Sequence, residues 1–287
     1  MQISLLSRRS IQSYAVLLAL CTSLTWAQTK ATSPVATTQC NLSAQQIQRI
    51  AAEAKYQLKA PIRQLEAAQD LSHSSAEPNT AYVACKPWGL APGKLVALVV
   101  MPSPKVDYAG FDLDMLVIVA ESDLRNPVVL MLEDFVGSDA IKFSGIGLDT
   151  AAYKLGADKL GFGVWQTLSG SSGPNPYEAR KLSLFVLSNN ALKRVMDNID
   201  TEVNQGEWDM NCTGEFQRTK RTIQVADQSS NGLANLLVKQ TRNKKTVRPA
   251  KASKDSGDCN ETLIKLPLKM FSLKFNGDQY ILPKDMD

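Results

Sequence analysis

The first 27 residues fix the chemical surroundings in which the rest of this chain has to fold. Arg8 and Arg9 precede an apolar stretch from Tyr14 to Trp26, and Thr25-Trp26-Ala27 stands before Gln28. A basic segment, an apolar segment and a small residue in that order make an export signal with cleavage after Ala27. Cys21 leaves with the signal, and the mature chain keeps Cys40, Cys85, Cys212 and Cys259. In an oxidising compartment these thiols predict two disulfides. Of the three possible connectivities, pairing of sequence neighbours is expected: Cys40 with Cys85, and Cys212 with Cys259. The first bridge would strap a helical segment to a β body. The second would close a loop of about 46 residues around a basic stretch, worth on the order of 4 kcal/mol in the chain-entropy account.

Two other readings of the leader are weaker. A transmembrane helix needs roughly 20 apolar residues, whereas Tyr14 to Trp26 is interrupted by Cys21, Thr22, Ser23 and Thr25. Leu18-Ala19-Leu20-Cys21 has the outline of a lipoprotein signal, but Leu20 stands where a small residue is required. The expectation is a periplasmic protein of a Gram-negative cell, with no integral membrane segment after cleavage. Loss of Arg8 and Arg9 takes the formal charge from +4 to +2, and such balance gives no reason to invoke nucleic acid.

About 260 residues then remain, enough for one large all-β domain or two modest domains with a real core. Residues 28–39, rich in Thr, Ala and Ser, read as a flexible leader. Residues 40–92 read as a helical N-terminal segment. Ser43-Ala44-Gln45-Gln46 has capping-box spacing, and Ile47, Ile50, Ala51, Ala54 and Leu58 recur on one helical face. Pro61 then opens a second helix carrying Ile62 and Leu65. Residues 93–287 read as β-rich. Leu95 to Met101 is continuously apolar, and Phe111, Leu113, Met115, Val117 and Val119 alternate with Asp112 and Asp114, an acidic strand start left in water.

Further strand runs cover 128–132, 141–148, 160–168, 182–187, 192–199, 215–225 and 233–238, spaced for antiparallel connections. Phe271 to Phe275, Asn276-Gly277 and Asp278 to Leu282 form the clearest hairpin, read as a type I′ turn. Ser188-Asn189-Asn190 marks another. A bulge near Met270 reconciles two alternation phases, with Pro267 at a sheet edge. The fold class is therefore mainly β: antiparallel sheets in a sandwich or incomplete propeller-like stack, with a short N-terminal helical pair.

The chemistry is sparse. His73, the single histidine, sits in a Ser-rich loop poorly suited to hold a catalytic base. No multi-histidine zinc site is possible, and no CxxC occurs, so no cofactor or metal is assigned. Gly170 to Pro176 lacks GxSxG and lacks the end of a phosphate loop, so it reads as a connection. Asp112 with Asp114, Glu133-Asp134, and Glu207-Trp208-Asp209 are the acidic groups a metal or glycosidase reading would need. Arg242, Lys244, Lys245, Arg248, Lys251 and Lys254 read as a solvated basic loop, with attachment to an anionic envelope polymer or headgroup as the sharper alternative.

Several stretches occur together: Cys85-Lys86-Pro87-Trp88, Gly147 to Tyr153, Gly161-Phe162-Gly163-Val164, Asn175-Pro176-Tyr177, Gly206 to Cys212 and Lys274 to Tyr280. Through them the chain resembles a group of uncharacterised exported proteins of Gram-negative bacteria, a resemblance that implies no activity. Gly110 to Val119 and Gly232 to Val238 are similar to the strand starts of FG-GAP-like β-propeller repeats, although Ala234 and Asn235 replace the calcium-loop aspartates. The reading is a non-enzymatic binding protein whose partner is a protein or envelope polymer. Its candidate contacts are Ser169, Ser171, Ser172, Asn175, Tyr177, Arg242, Lys244, Lys245 and Arg248, on loops carried by a rigid sheet. The competing reading is a carboxylate-dependent hydrolase of envelope glycans.

If the leader is an export signal, intact mass spectrometry of material recovered from a Gram-negative periplasm returns a chain that begins at Gln28. Native alkylation leaves all four of its cysteines unmodified. An uncleaved leader or free thiols would refute the assignment.

Overall fold

The computed structural model describes residues 40, 42–56, 62–64, 81–103, 111–138, 141–250 and 258–286. The export signal, the leader, His73 and its loop, most of the second expected helix, Lys251 and Lys254 lie outside the described residues. Among the described residues one α-helix, α1 (Ala44–Glu53), precedes two sheets. The first has the order β1 (Ile62–Gln64), β2 (Ala81–Pro87), β3 (Lys94–Pro102), β4 (Phe111–Glu121), β5 (Val128–Ser138). β1 and β2 are parallel and the other neighbours antiparallel.

The second sheet is an antiparallel meander of β6 (Ile141–Gly156), β7 (Lys159–Gly170), β8 (Tyr177–Ser188), β9 (Ala191–Trp208), β10 (Gly214–Ser230) and β11 (Leu233–Pro249). Beyond β11 come β13 (Lys269–Phe275) and β14 (Tyr280–Ile281), while β12 (Cys259–Lys265) pairs with the far end of β11. The mainly β, antiparallel class is as the sequence indicates, and the sheets do not close.

Apolar periodicity explains the layers. In α1, Ser43 caps the helix through its side chain and Gln46 returns the bond to the Ser43 backbone; Ile47, Ile50 and Ala51 then bury against the first sheet. The β4 core is apolar at both parities. Leu113, Met115, Val117 and Val119 join Phe143, Ile146, Leu148, Phe162 and Phe185 of the second sheet, whereas Leu116, Ile118 and Ala120 meet α1. Trp88 lies edge-on to Phe162 between the sheets, and Phe162 stacks on Phe185. Lys86 donates to the Leu148 carbonyl at 2.8 Å, a direct tie between the layers. The second sheet also curls on itself, so that Tyr153 and Leu155 of β6 share a cluster with Leu236 and Val238 of β11 and Leu273 of β13.

Several local expectations are corrected. Ile62–Gln64 is a strand hydrogen-bonded to β2, not the start of a second helix: parallel pairing outweighs the helix-initiating signal of Pro61. Asp114 is not a solvated strand start. It is buried, and its carboxylate accepts from Asp134 N–H at 2.9 Å and from Tyr56 O–H at 3.1 Å. Opposite it, β5 bulges between the pairs Leu113↔Val136 and Met115↔Leu132, with Asp134 at φ 49°.

Asn276-Gly277 does not make a two-residue turn. Phe275 pairs with Tyr280, and the Asn276 side chain accepts from Asp278 and Gln279 N–H in a longer loop. The tight turns fall instead at Asn189-Asn190 (φ 51° and 57°) and Asn231-Gly232 (φ 48° and 87°), where both central residues take the positive φ that type I′ requires. The expected bulge near Met270 is a break around Pro267 between β12 and β13, both of which run along β11.

Three tyrosines of this framework resist ionisation. Burial, reinforced by Asp114, pushes Tyr56 up to about 12. Burial chiefly raises Tyr153, with Asp149 beside it, and burial raises Tyr280. A raised folded-state value means that the native chain holds these protons more tightly than the unfolded one. The stability they supply is full below the ordinary tyrosine range near pH 10 and is lost as pH rises through the folded values. The urea midpoint is expected to hold from neutral pH to about 10 and then fall, with late tyrosinate absorbance appearing alongside unfolding. Ordinary titration of all tyrosines in a chain that stays folded would contradict this.

Candidate binding surface

The long strands of the second sheet outrun its core. Toward the end formed by residues 200–208, 214–220 and 241–249 the apolar clusters stop, and side chains on both faces are partly exposed. The boundary is marked by Arg221, buried, which donates to Gln240 at 2.6 Å and to the Met286 carbonyl. Beyond it the ladder β8–β9–β10–β11–β12 continues, and the bridge Cys212–Cys259 ties the β9–β10 turn to β12. The bridge Cys40–Cys85 ties the residue ahead of α1 to β2. Both pairings are those expected from sequence.

Register sorts the overhanging side chains into two faces, because directly opposed residues of an antiparallel pair share a side. On one face Glu178, Asn204, Arg218, Asn243 and Lys265 form a row across five strands, with Gly206, Phe216, Lys245 and Leu263 as the next row. The opposite face carries Tyr177, Gln205, Gln217 and Lys244, then Glu207 and Glu215.

A groove of about 730 Å³ on the first face runs from Ser169, Ser171 and Ser172 to Phe216, Lys245 and Leu263. A second, of about 920 Å³, runs from Asn175 and Tyr177 to Glu207, Glu215, Lys244 and Arg248. The structure thus brings the 169–177 connection and the basic stretch together, as two surfaces. Arg242 lines neither groove. Residues 242–248 of the basic stretch are also not a loop: they belong to β11, where 243–247 pair with both β10 and β12, Arg242 with β10 and Arg248 with β12.

Ring and charge contacts hold these side chains. Phe216 lies over Gly206, where a Cβ would come within 2.5 Å of the ring, so only glycine fits there. Lys245 stands 5.0 Å over the same ring and 2.9 Å from Glu261. On the other face Glu215 takes Lys244 at 2.8 Å and Arg248 at 3.2 Å, and its hydrogen bond and charge contact with Lys244 hold its carboxyl below the usual range. Asp209 accepts from Asn211 and Thr213 N–H at 2.9 Å, which lowers it too. It is a turn-forming carboxylate.

Asp114 and Glu133-Asp134 belong to the first sheet, away from Glu207 and Asp209 in chain and layer. Among the described residues no three acidic, cysteine or histidine side chains gather as a metal site. Sequence reading missed Phe216, Asn204, Gln205, Gln217 and Asn243. Phe216 as the one large apolar residue in a polar alternation was the available signal. No protein-family model, curated protein or solved structure matches the chain.

Reduction of Cys212–Cys259, or its replacement by serines, is expected to lower stability by about 2–4 kcal/mol. Hydrogen exchange should quicken in 209–213 and 258–265 while β3 and β4 remain protected. Uniform acceleration across both sheets would show that the bridge does not act locally.

Proposed function

We propose that this is an exported, periplasmic, non-enzymatic binding protein, and that the overhanging end of its second sheet holds a hydroxyl-rich envelope polymer. The carrying observation is that the cations lining the two grooves are each matched by a carboxylate: Lys244 and Arg248 by Glu215, Lys245 by Glu261, Arg218 by Glu202. Paired cations hold little surplus attraction for a polyanion. What the grooves offer instead is rings, Tyr177, Trp208 and Phe216, beside the carboxamides of Asn204, Gln205, Gln217 and Asn243. A carboxamide both donates and accepts, which suits hydroxyl groups. Rings with a few placed polar groups are the usual make-up of a ligand groove. Export is supported by the two disulfides and by the leader's pattern. Among the described residues no helix is long and apolar enough to cross a membrane.

Glu207 and Glu215 are direct cross-strand partners, the one arrangement that speaks for a hydrolase. A general acid needs a raised carboxyl, and the shifted carboxyls of this groove, Glu215 and Asp209, both go down.

Co-sedimentation of the oxidised protein with peptidoglycan sacculi is expected to retain it without releasing soluble fragments. Tyr177→Ala with Gln217→Ala should weaken retention about tenfold, the loss of one to two good contacts. Turnover abolished by Glu207→Gln would establish the hydrolase. Failure to bind sacculi, with recovery of a defined protein partner from periplasmic extract, would replace the polymer by a protein.

A further inference from the structure

The strand β12, whose Leu263 lines the first groove and whose Glu261 holds Lys245, has an outer backbone edge that groove binding does not use. Its seven residues, Cys-Asn-Glu-Thr-Leu-Ile-Lys, are exposed throughout, and among the described residues it pairs with β11 on one side only. Leu263 is 62 % and Ile264 51 % exposed, on opposite faces of a sheet edge. An edge strand of this kind is a template for another strand unless charge, proline or cover blocks it. The backbone phase is known from its ends: Leu266 N–H donates to the Arg242 carbonyl and Ala250 N–H to the Asp258 carbonyl. Even-numbered residues therefore direct N–H and C=O toward β11. Glu261, Leu263 and Lys265 direct theirs outward.

We propose that this edge pairs antiparallel with β12 of a second copy of the chain, about a two-fold axis at Leu263. Charge complementarity selects both the occupant and the register. With Leu263 opposite Leu263 of the other copy, Glu261, which keeps Lys245 of its own chain at 2.9 Å, faces Lys265 and Lys265 faces Glu261, and each of these is a pair that exchanges backbone bonds. A two-residue slip in one direction sets Glu261 against Leu263. A slip in the other sets Glu261 against Pro267, which has no N–H to give. A two-fold interface must be self-complementary, and this strand reads so from either end. Across the axis the Leu263 side chains meet on the face that carries Phe216 and Lys245, and the first groove of each copy runs into that of its mate. The pairing does not depend on what the grooves bind.

Sedimentation equilibrium of the full, oxidised chain tests it. The parent protein is expected to be a concentration-dependent dimer. Glu261→Lys and Lys265→Glu each place like charges opposite one another twice and should weaken self-association at least about tenfold. Mixing the two variants restores matched pairs and should restore a dimer, now mixed. Circular dichroism identical to the parent confirms that the exposed substitutions leave the fold intact, and the mixing experiment reports on pairing even if one variant is less stable. A parent protein that stays monomeric, including one that pairs only with an added extended peptide, would overturn the proposal. So would a dimer indifferent to both substitutions, or variants that fail to associate when mixed.

Discussion

The organising constraint of this molecule is that its longest strands exceed the core that covers them. β9, β10 and β11 run for 18, 17 and 17 residues, about 55–60 Å each at the usual rise. Their apolar residues end well short of that. Over residues 191–199, 221–230 and 233–240 the sheet is held by burial against β6 and β13. Over the rest it is held by the hydrogen-bond ladder, a phenyl ring laid on glycine, ion pairs worth little individually in water, and a disulfide. A surface stabilised by polar contacts on both sides is open to ligands on both sides, and both grooves lie there.

Two aspartates, Asp114 buried and Asp149 partly buried, show how the sheets acquire their bends. Asp114 accepts from the bulged Asp134 N–H and from Tyr56. Asp149 accepts from Ala151 N–H and from Tyr153 where β6 departs from register with β7. In each case a carboxylate satisfies backbone that the interrupted ladder leaves over, and a tyrosine hydroxyl completes its shell. Asp114, one of the acids a metal or glycosidase reading would need, is thus, like Asp149, a structural group of a β-bulge.

The apolar runs made most of the longer strands and their antiparallel connections legible, because burial and local backbone preference act over short spans, and the export signal with four remaining cysteines did the same for the two disulfides; Ala81–Pro87, inside a segment that reads as helical, is a strand. Register was not legible. Asn276-Gly277 and Asn231-Gly232 are the same dipeptide, yet only the second forms the tight turn; at the first, the Asn276 side chain bonds forward and lengthens the loop. By itself the basic stretch has the look of a loop, because its charges mask the strand period. Its alternation becomes meaningful only once β10 and β12 supply Glu215 and Glu261 as partners from 29 and 16 residues away. The meeting of the 169–177 connection with β11 likewise depends on strand order, which no local pattern encodes.

The two sulfur bridges also govern how the chain responds to mechanical load. Each joins residues far apart in sequence, 45 and 47 positions, so a pull on the two termini bypasses everything enclosed: α1 and β1 in one ring, the β10–β11 hairpin in the other. At the extension available per residue, roughly 300 Å of contour stays folded away until the sulfurs are reduced. A chain drawn out by its ends would lengthen in its strands outside the rings first, with the hairpin that carries Phe216, Gln217, Asn243, Lys244 and Lys245 spared.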